Sequence, residues 1–362
     1  MSERIGAVPP SEDADPRRRP TLADVARLTG VDVSLVSRVL RDDPKGFASQ
    51  DTRARIKHAA ETLGYRANAS ARGLRNSRTK TFGLLLPGFT SPVYASIAQG
   101  VEQQAKKRGY GLVLGTHAAG DPHETITDML MHGRVDAIMV ASGHIEDGSL
   151  RELVEKAPRS VVLVNRQVRG VSASVVLRDS DAAALAVNHL VQLGHRSICG
   201  IFGSHTLDTM VRRKSGFVAS CAKHAAIGTP IEVRDRDYAA GYEGALRALR
   251  HNSAPTALVA GTFPMGVGAL AAARDAGICV PEHFSILALH TDRLADFLSP
   301  RLSTVALPTR QLGAEAVELA VVLTEGGTPP YRCSRASQTA TARFDRGGAC
   351  SLSTIDLRRT YR

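Results

Sequence analysis

Apolar residues recur three and four positions apart, the spacing of an amphipathic helix, between residues 21 and 65. They fall into three short segments: Leu22, Val25, Ala26 and Leu28; Val36, Val39 and Leu40; and Ile56, Ala59, Ala60 and Leu63. Short helices of this kind are stable only when their apolar stripes pack against one another. The pattern therefore predicts an all-α unit of three helices over residues 21–66.

Capping signals separate the first two of these helices. Thr21 is placed as an N-cap, with Asp24 in the first turn, and Gly30 permits the chain reversal that a turn between helices needs. Asp32 or Ser34 can then begin the second helix. This arrangement predicts a helix-turn-helix at residues 21–40.

From residue 81 the pattern changes to short apolar runs that alternate with amphipathic stretches. The runs are F-G-L-L-L-P (82–87), G-L-V-L-G-T (111–116), A-I-M-V-A (137–141), S-V-V-L-V-N (160–165), S-I-C-G-I-F (197–202), T-A-L-V-A-G (256–261) and F-S-I-L-A-L-H (284–290). Continuous apolar runs between helices are typical of parallel strands that are covered on both faces. Because the rhythm restarts at residue 197, the sequence predicts two similar α/β lobes within residues 81–345.

Three further segments fit neither pattern. Residues 1–20 are rich in Ser, Glu, Asp and Pro, a composition that cannot bury a core, so we expect a disordered tail. Residues 67–80 are basic, with Leu74 as an isolated large apolar residue, and indicate a linker. Residues 346–362 form a C-terminal tail without the sustained heptads of a coiled coil.

Charge points to a polyanionic partner. The 362 residues carry 46 Lys and Arg against 35 Asp and Glu, a formal net charge of +11. Residues 1–80 hold 16 of these basic residues and 10 of the acidic ones, so the N-terminal part has the higher charge per residue. The charge alone does not identify that partner.

Other classes of function lack their sequence signals. The five cysteines show no paired spacing, the twelve histidines show no zinc-protease motif, and no G-x-S-x-G nucleophile elbow occurs, so we expect no metal, no cofactor and no catalytic residues. No signal peptide or transmembrane stretch is evident, and we expect a cytoplasmic protein.

The second helix presents small polar residues and arginine on one face: Val33, Ser34, Ser37 and Arg38. Arginine binds guanine bidentately, serine takes either hydrogen-bonding role, and valine contacts a thymine methyl group, so this face suits the major groove of DNA. A solvated helix face is the alternative that the pattern leaves open.

The chain from residue 21 to about 345 resembles the lactose/galactose repressor (LacI/GalR) family. The resemblance rests on T-L-A-D-V-A-R-L-T-G-V-D-V-S-L-V-S-R-V-L (21–40), D-T-R-A-R-I-K-H-A-A-E-T-L-G-Y (51–65), N-A-S-A-R-G-L-R (68–75), H-L-V-Q-L-G-H-R-S-I (189–198), R-K-S-G-F (213–217), V-P-E-H-F-S-I (280–286) and R-L-S-T-V (301–305). These motifs occur in the family's order. The resemblance implies a DNA-binding transcriptional regulator, a repressor modulated by a small-molecule effector, that works as a homodimer on a near-palindromic operator.

The resemblance also assigns DNA contacts. It places Val33 and Ser34 on base edges, Arg38 on a base edge or a phosphate, and Thr21 and Ser37 near the DNA backbone. The segment that begins at Asn68, a possible N-cap, matches a hinge helix that forms on the operator. There Leu74 is expected to insert into the minor groove, where an apolar wedge kinks DNA.

The part from residue 81 resembles the family's periplasmic-binding-protein-like core, two lobes with an effector between them. Because α/β sheets bind ligands outside the carboxyl ends of their strands, the loops after 82–86, 161–164, 257–261 and 286–290 should line the cleft. Matching of motifs implies six effector contacts: Tyr94, Asn165, Arg213, Tyr238, Thr262 and His290.

Several cleft positions depart from the family pattern. The chain has Thr262-Phe263 where relatives have Asn-Asp, and A-L-H (288–290) where they have Gly-Phe-Asp. It also has Leu177-Arg178, Gly88 and Ser91 at positions that relatives fill with Asp and Asn. We therefore expect a cleft poor in carboxylates, with Arg213, Arg166 and His290 near an effector that is anionic or more apolar than a sugar. A degenerate cleft that binds no ligand is the alternative.

Two other classes of protein explain part of the sequence but not all of it. A nucleotide-dependent enzyme would explain G-V-G-A-L-A (266–271), but four residues separate this glycine from the preceding strand and His290 stands where a ribose-binding acid is expected. A solute-binding protein shares the two-lobed core, but it needs an export signal and has no use for residues 21–75.

Overall fold

The computed structural model describes residues 20–40, 48–65, 78–88, 91–116, 129–130, 132–141, 147–158, 160–252, 255–327, 334–335 and 341–343. The chain divides into two compact units, Met1–Ser77 and Arg78–Arg362. The first is all-α in its described part, and the second is α/β.

The N-terminal unit contains the three helices that the sequence predicts. They are α1 (Leu22–Thr29), α2 (Val33–Val39) and α3 (Gln50–Thr62). Their apolar stripes meet in one core: Val25, Ala26, Val36, Val39, Ile56, Ala59 and Ala60. Leu28 departs from the predicted stripe, because 57% of its surface is exposed.

Local capping explains where α1 and α2 begin and end. The Asp24 carboxylate accepts from the Thr21 backbone N–H at 2.8 Å and from its hydroxyl at 2.7 Å. Gly30 ends α1 in the left-handed region, at φ 66°. Asp32 then caps α2 by accepting from the Ser34 N–H at 2.7 Å. The predicted capping residues thus set the turn of the helix-turn-helix.

The C-terminal unit contains two six-stranded sheets with the same strand order. The first sheet, in lobe 1, runs β11-β5-β4-β3-β1-β2, and the second, in lobe 2, runs β12-β10-β9-β8-β6-β7. The strands are β1 (Thr81–Leu86), β2 (Gly111–Thr116), β3 (Ala137–Val140), β4 (Val161–Val164), β5 (Ser174–Val176), β6 (Ser197–Phe202), β7 (Ile227–Glu232), β8 (Ala257–Ala260), β9 (Ser285–Leu289), β10 (Ser303–Ala306), β11 (Ser334–Arg335) and β12 (Thr341–Arg343). Every pairing is parallel except that of β10 with β12.

The strand order creates a switch point in each lobe. β1 lies between β2 and β3, and β6 lies between β7 and β8, so successive connections leave these strands in opposite directions. Ligands of open α/β sheets bind beyond the carboxyl ends of the strands at such points. The topology therefore directs attention to the loops that follow β1 and β6.

Helices cover both sheets. They are α4 (Pro92–Lys107), α5 (Asp147–Lys156), α6 (Asp179–Gln192), α7 (Asp208–Lys223), α8 (Tyr238–Leu249), α9 (Phe263–Asp275) and α10 (Thr309–Thr324), with a short 3₁₀ helix at Arg293–Phe297. The chain passes between the lobes three times: from β5 to α6, from β10 to α10, and from β11 to β12. Each lobe is therefore built from segments that are distant in sequence.

Three helix pairs approach so closely that they need glycine: α4 with α10, α8 with α9, and α6 with α7, where a Cβ at Gly216 would lie 2.2 Å from the Ser180 carbonyl oxygen. A Cβ at Gly100 of α4 would lie 1.9 Å from the Arg310 carbonyl oxygen of α10. A Cβ at Gly268 of α9 would lie 2.0 Å from the carbonyl oxygen of Tyr238, the first residue of α8. Each lobe thus fixes one helix against another through backbone contact, and in lobe 2 the contact of α8 with α9 sets the position of Tyr238.

The seven predicted apolar runs correspond to β1, β2, β3, β4, β6, β8 and β9. The sequence patterns did not predict β5, β7, β10, β11 and β12. β5, β11 and β12 span three residues or fewer, β10 (S-T-V-A) is half polar, and β7 (I-G-T-P-I-E) contains a glycine and a proline. β7 lies at the edge of its sheet, where proline is tolerated.

Candidate functional site

The predicted DNA-reading residues lie on or beside α2. Val33 is 42% exposed, Ser34 and Arg38 are exposed, and Ser37 is half-buried, while Val36 and Val39 face the core. The Ser34 hydroxyl and N–H both bond to the Asp32 carboxylate, and these bonds lower the pKa of Asp32. α2 therefore carries a solvent-facing surface of the kind that a recognition helix needs.

Thr21 serves as the N-cap of α1, so its hydroxyl is bonded to Asp24. Arg55 donates to the Thr29 carbonyl at 2.7 Å and ties α3 to the end of α1. Asn68 and Leu74, the predicted hinge residues, lie outside the described residues. Their assignment to the hinge stays a prediction.

A cavity of about 580 Å³ lies between the two lobes, within the 300–1,000 Å³ range, roughly, of small-molecule sites. The six residues that the sequence predicts as effector contacts all line it: Tyr94, Asn165, Arg213, Tyr238, Thr262 and His290. They come from six separate segments of the chain. The geometry therefore brings the predicted set together, although contact with an effector stays a prediction.

Four of these residues lie in or at the end of the loop that follows a strand. Asn165 follows β4, Thr262 follows β8 and His290 follows β9, while Tyr238 begins α8 after β7. Thr262 caps α9 by accepting from the Met265 N–H at 3.2 Å, and its hydroxyl donates to the Arg236 carbonyl at 2.9 Å. The cavity thus occupies the place that the sheet topology indicates.

Arg213 forms the polar floor of the cavity and is 2% exposed. Its Nε donates to the Asp179 Oδ1 at 2.8 Å, its Nη1 to the Gly261 carbonyl at 2.6 Å, and its Nη2 to the His290 Nε2 at 2.5 Å. Because guanidinium carries five N–H donors in a rigid plane, these bonds fix its orientation and leave donor capacity for a ligand.

His290 is neutral in this environment. Burial, together with the charge of Arg213, lowers its pKa well below the ordinary value. Its Nε2 accepts from Arg213, so the proton of the neutral ring resides on Nδ1. His290 therefore acts as an acceptor toward the protein and keeps one donor.

Two cavity residues have unusual backbone conformations. Asn165 has φ 54° and His290 has φ 67°, both in the left-handed region that residues other than glycine rarely adopt. The Asn165 Oδ1 is buried and has no hydrogen-bond partner in the described part of the chain. Strain and an unsatisfied acceptor at the same cavity are typical of a functional site.

Tyr94 and Arg236 bridge the two lobes across the cavity. The Arg236 Nη2 donates to the Tyr94 hydroxyl at 3.0 Å, and its guanidinium carbon lies 6.0 Å from the centre of the tyrosine ring. Tyr94 belongs to α4 of lobe 1, and Arg236 lies between β7 and α8 of lobe 2. One side of the cavity is therefore closed by a direct contact between lobes.

The expectation of a cleft poor in carboxylates was wrong, because Asp235 and Asp237 both line the cavity, as does Arg236. The sequence reasoning missed them because it did not recognise β7, whose carboxyl end carries them. Gly88 and Ser91 do line the cavity, whereas Arg166 is not among its described lining residues. The Arg166 Nη2 instead bonds to Asp147 at 2.6 Å.

Groups suited to other chemistry are not found in the described residues. These contain no cluster of three His, Cys, Asp or Glu arranged to hold a metal. Burial raises the pKa of the Cys199 and Cys221 thiols to about 11, so neither thiol is ionised near neutral pH. Within the described segments, no helix has the length and hydrophobicity to cross a bilayer.

Two family models match the chain. The model described as bacterial regulatory proteins, lacI family, matches residues 21–68, and the model described as a periplasmic binding protein-like domain matches residues 187–343. The first match spans the three helices α1 to α3, and the second covers most of lobe 2.

Known proteins match over most of their length. The HTH-type transcriptional regulator GalR of Salmonella typhimurium is 32% identical over 84% of this chain and 89% of its own. A complex of the transcriptional regulator CelR with cellobiose is 28% identical, with a TM-score of 0.64 over 86% of this chain and 95% of that one. The Lac repressor dimer bound to operator and the anti-inducer ONPF shares the fold, with 22% identity and a TM-score of 0.76 over 85% of this chain and 94% of that one.

Proposed function

Because this chain belongs to the lacI family of bacterial regulatory proteins and is a DNA-binding transcriptional regulator, we propose that it is a repressor controlled by a small-molecule effector. The effector binds in the cavity between the lobes. The observation that carries this proposal is the convergence of six separate chain segments on one cavity of about 580 Å³. Its non-catalytic role agrees with that of relatives such as GalR, which are regulators.

The working form that we propose is a homodimer on a near-palindromic operator. The Lac repressor, which shares this fold, is a dimer in its operator complex. Two copies of α2 would then read two half-sites related by the symmetry of the dimer, and two segments around Asn68 and Leu74 would meet in the minor groove. Since the chain acts on chromosomal DNA, we place it in the cytoplasm.

The chemistry of the cavity favours a neutral, hydroxyl-rich effector such as a sugar. Arg213 and Arg236 supply two positive charges, and Asp235 and Asp237 supply two negative ones. The buried Asp179 further neutralises Arg213, so an anion gains little from this site. Carboxylate and guanidinium groups both bond to hydroxyl pairs, and the relative CelR is known in a complex with cellobiose.

The rings of Tyr94 and Tyr238 add apolar surface to the same cavity. Tyr238 is 44% exposed, so its ring is available to a ligand. Aromatic faces next to a few fixed polar groups are the usual composition of a small-molecule site. A sugar, with polar edges and an apolar face, matches both components.

Calorimetry on the full-length protein tests the effector class. The ligands are cellobiose, a panel of neutral monosaccharides and the corresponding sugar phosphates. We expect binding of at least one neutral sugar and none of the phosphates. Binding of the phosphates alone would support an anionic effector, and no binding by either group would support a cleft that works without a ligand.

Selection from a random duplex library tests the DNA-reading assignment. We expect wild-type protein to enrich a near-palindrome. Arg38→Ala should cost about 1–3 kcal/mol of binding and relax one base pair in each half-site. Arg27→Ala, which removes an exposed arginine from α1, is the matched control and should leave base preference unchanged. Unaltered preference in Arg38→Ala would contradict a base-reading role.

A further inference from the structure

A continuous row of ion pairs leads away from the cavity floor. It begins at Arg213, which lines the cavity, and passes to Asp179, which is completely buried. The two oxygens of Asp179 serve different arginines: Oδ1 accepts from Arg213 at 2.8 Å and Oδ2 accepts from Arg212 at 2.6 Å. A shift of Arg213 therefore acts directly on the group that holds Arg212.

Arg212 continues the row to Asp208. Its Nη2 bonds to Asp179 and its Nη1 bonds to Asp208, so one planar guanidinium joins two carboxylates. Its side chain is 19% exposed, that of Asp208 is 23% exposed, and neither residue lines the cavity. Burial lowers the pKa of Arg212, but the charges of Asp179 and Asp208 raise it more, which keeps the guanidinium charged.

Asp208 makes the last contact, and this contact crosses between the lobes. Its Oδ2 accepts from the backbone N–H of Gln167 at 2.9 Å. Asp208 is the first residue of α7 in lobe 2, whereas Gln167 follows β4 in lobe 1. The loop of Gln167 is anchored within lobe 1 by the bond of Arg166 to Asp147.

We propose that Arg213, Asp179, Arg212 and Asp208 form a relay that links effector binding in the cavity to the contact between the lobes at Gln167. Arg212 is the positioning residue of this relay, because it alone among these four residues bonds to both carboxylates. That the relay responds to an effector rests on the proposed function. The row of hydrogen bonds from Arg213 to Gln167 does not depend on that proposal.

The relay works because Arg213 and Asp179 are buried, Arg212 and Asp208 are half-buried, and the guanidinium planes are rigid. A ligand that takes a hydrogen bond from Arg213 alters how its guanidinium shares Asp179 with Arg212. Inside a protein such charged hydrogen bonds are strong, and networks of them have few alternative arrangements. The adjustment therefore reaches Asp208, which either keeps or releases Gln167.

Hydrogen exchange at the Gln167 amide measures the end of the relay directly, without an effector or DNA. The experiment uses the full-length protein and resolves the amides of residues 165–170 by mass spectrometry. Asp208→Ala removes the acceptor and should raise exchange at Gln167 at least tenfold. Arg212→Gln, which has no contact with Gln167, should raise it at least threefold, and Arg212→Lys should restore part of the protection.

Arg213→Lys tests transmission from the cavity. It keeps the charge but cannot reproduce three bonds in one plane, and it should also raise exchange at Gln167. Glu232→Gln is the matched control. Glu232, the last residue of β7, pairs with Lys214, which lies on α7 beside Arg213 but takes no part in the relay. The substitution should leave exchange at Gln167 unchanged.

Unchanged exchange in Arg212→Gln, or an equal rise in Glu232→Gln, would overturn the relay. If Arg212→Gln does not fold, Arg212→Lys decides: a rise at Gln167 above that of Glu232→Gln supports the relay, and exchange equal to that of Glu232→Gln overturns it. A protein that shows the relay but binds no sugar in calorimetry would leave the relay intact and contradict the effector proposal alone.

Discussion

The two lobes share one strand order but contribute unequally to the cavity between them. Lobe 1 supplies six described lining residues, and none of them is charged: Pro87, Gly88, Ser91, Val93, Tyr94 and Asn165. Lobe 2 supplies all the charged groups of the described lining, together with His290. Equivalent topology therefore does not imply equivalent chemistry, and we infer that lobe 2 recognises an effector while lobe 1 covers it.

The largest expected effect comes from removing the charge at the cavity floor of lobe 2. Arg213→Ala leaves Asp179 buried with Arg212 as its remaining partner, and we expect a loss of about 3 kcal/mol in the free energy of unfolding, the lower end for breaking a buried ion pair. Urea unfolding followed by circular dichroism measures the loss.

The lobe 1 counterpart of that change is Asn165→Ala. We expect it to lower the free energy of unfolding by at most about 1 kcal/mol. The left-handed backbone at this position strains alanine, but the substitution breaks no ion pair. Equal losses in the two variants would show that the cavity residues of both lobes contribute equally to stability, which contradicts the difference between the charged lobe 2 and the uncharged lobe 1.

Acid should weaken lobe 2 through its buried histidines. Burial and the nearby His195 lower the pKa of His189 to about 4, below its unfolded value of 6.5. Below pH 6.5 the unfolded chain binds a proton that the native His189 does not, so stability falls as the pH drops from 7 toward 4. From pH 7 to 5 this residue should cost about 2 kcal/mol.

Urea midpoints at pH 7 and pH 5 measure that loss. His189→Asn should reduce the difference between the two pH values, and His283→Asn, which removes an exposed histidine of the same lobe, should not. A pH dependence that is identical in wild type and His189→Asn would assign acid sensitivity to other groups.

A small effect is expected at the Tyr94–Arg236 bond, one of the contacts that join the two lobes. Tyr94→Phe keeps the ring and removes the hydroxyl that accepts from Arg236, and it should cost about 1 kcal/mol of unfolding free energy. Tyr242→Phe is the control within lobe 2, because the exposed bond of Tyr242 to Asp275 should contribute much less. A greater loss in Tyr242→Phe would contradict a stabilising role for the bridge.

The sequence predicts the part of this architecture that depends on local pattern. Buried strands such as β4 and β8 are continuous apolar runs. Gly30 and Asp32 determine the turn between α1 and α2 through their own backbone and side-chain preferences. Matching of motifs also selected the six residues that meet in the cavity. These features depend on residues that are close together in the chain.

The sequence does not predict features that depend on distant partners. β7 was missed because Gly228 and Pro230 interrupt its pattern, and the charged loop that follows it was missed with it. The pairing of Asp179 with Arg212 joins two helices, and periodicity within either helix gives no indication of it. Such contacts become visible only when the packing is known.

The three passages of the chain between the lobes determine the order in which the lobes are completed during synthesis. Lobe 1 needs α10 to pack against Gly100, yet residues 309–324 leave the ribosome only after residues 178–306 of lobe 2. At bacterial rates of translation this delay is on the order of ten seconds. During that time nascent lobe 1 lacks the helix that packs against Gly100, although it is the lobe that is made first.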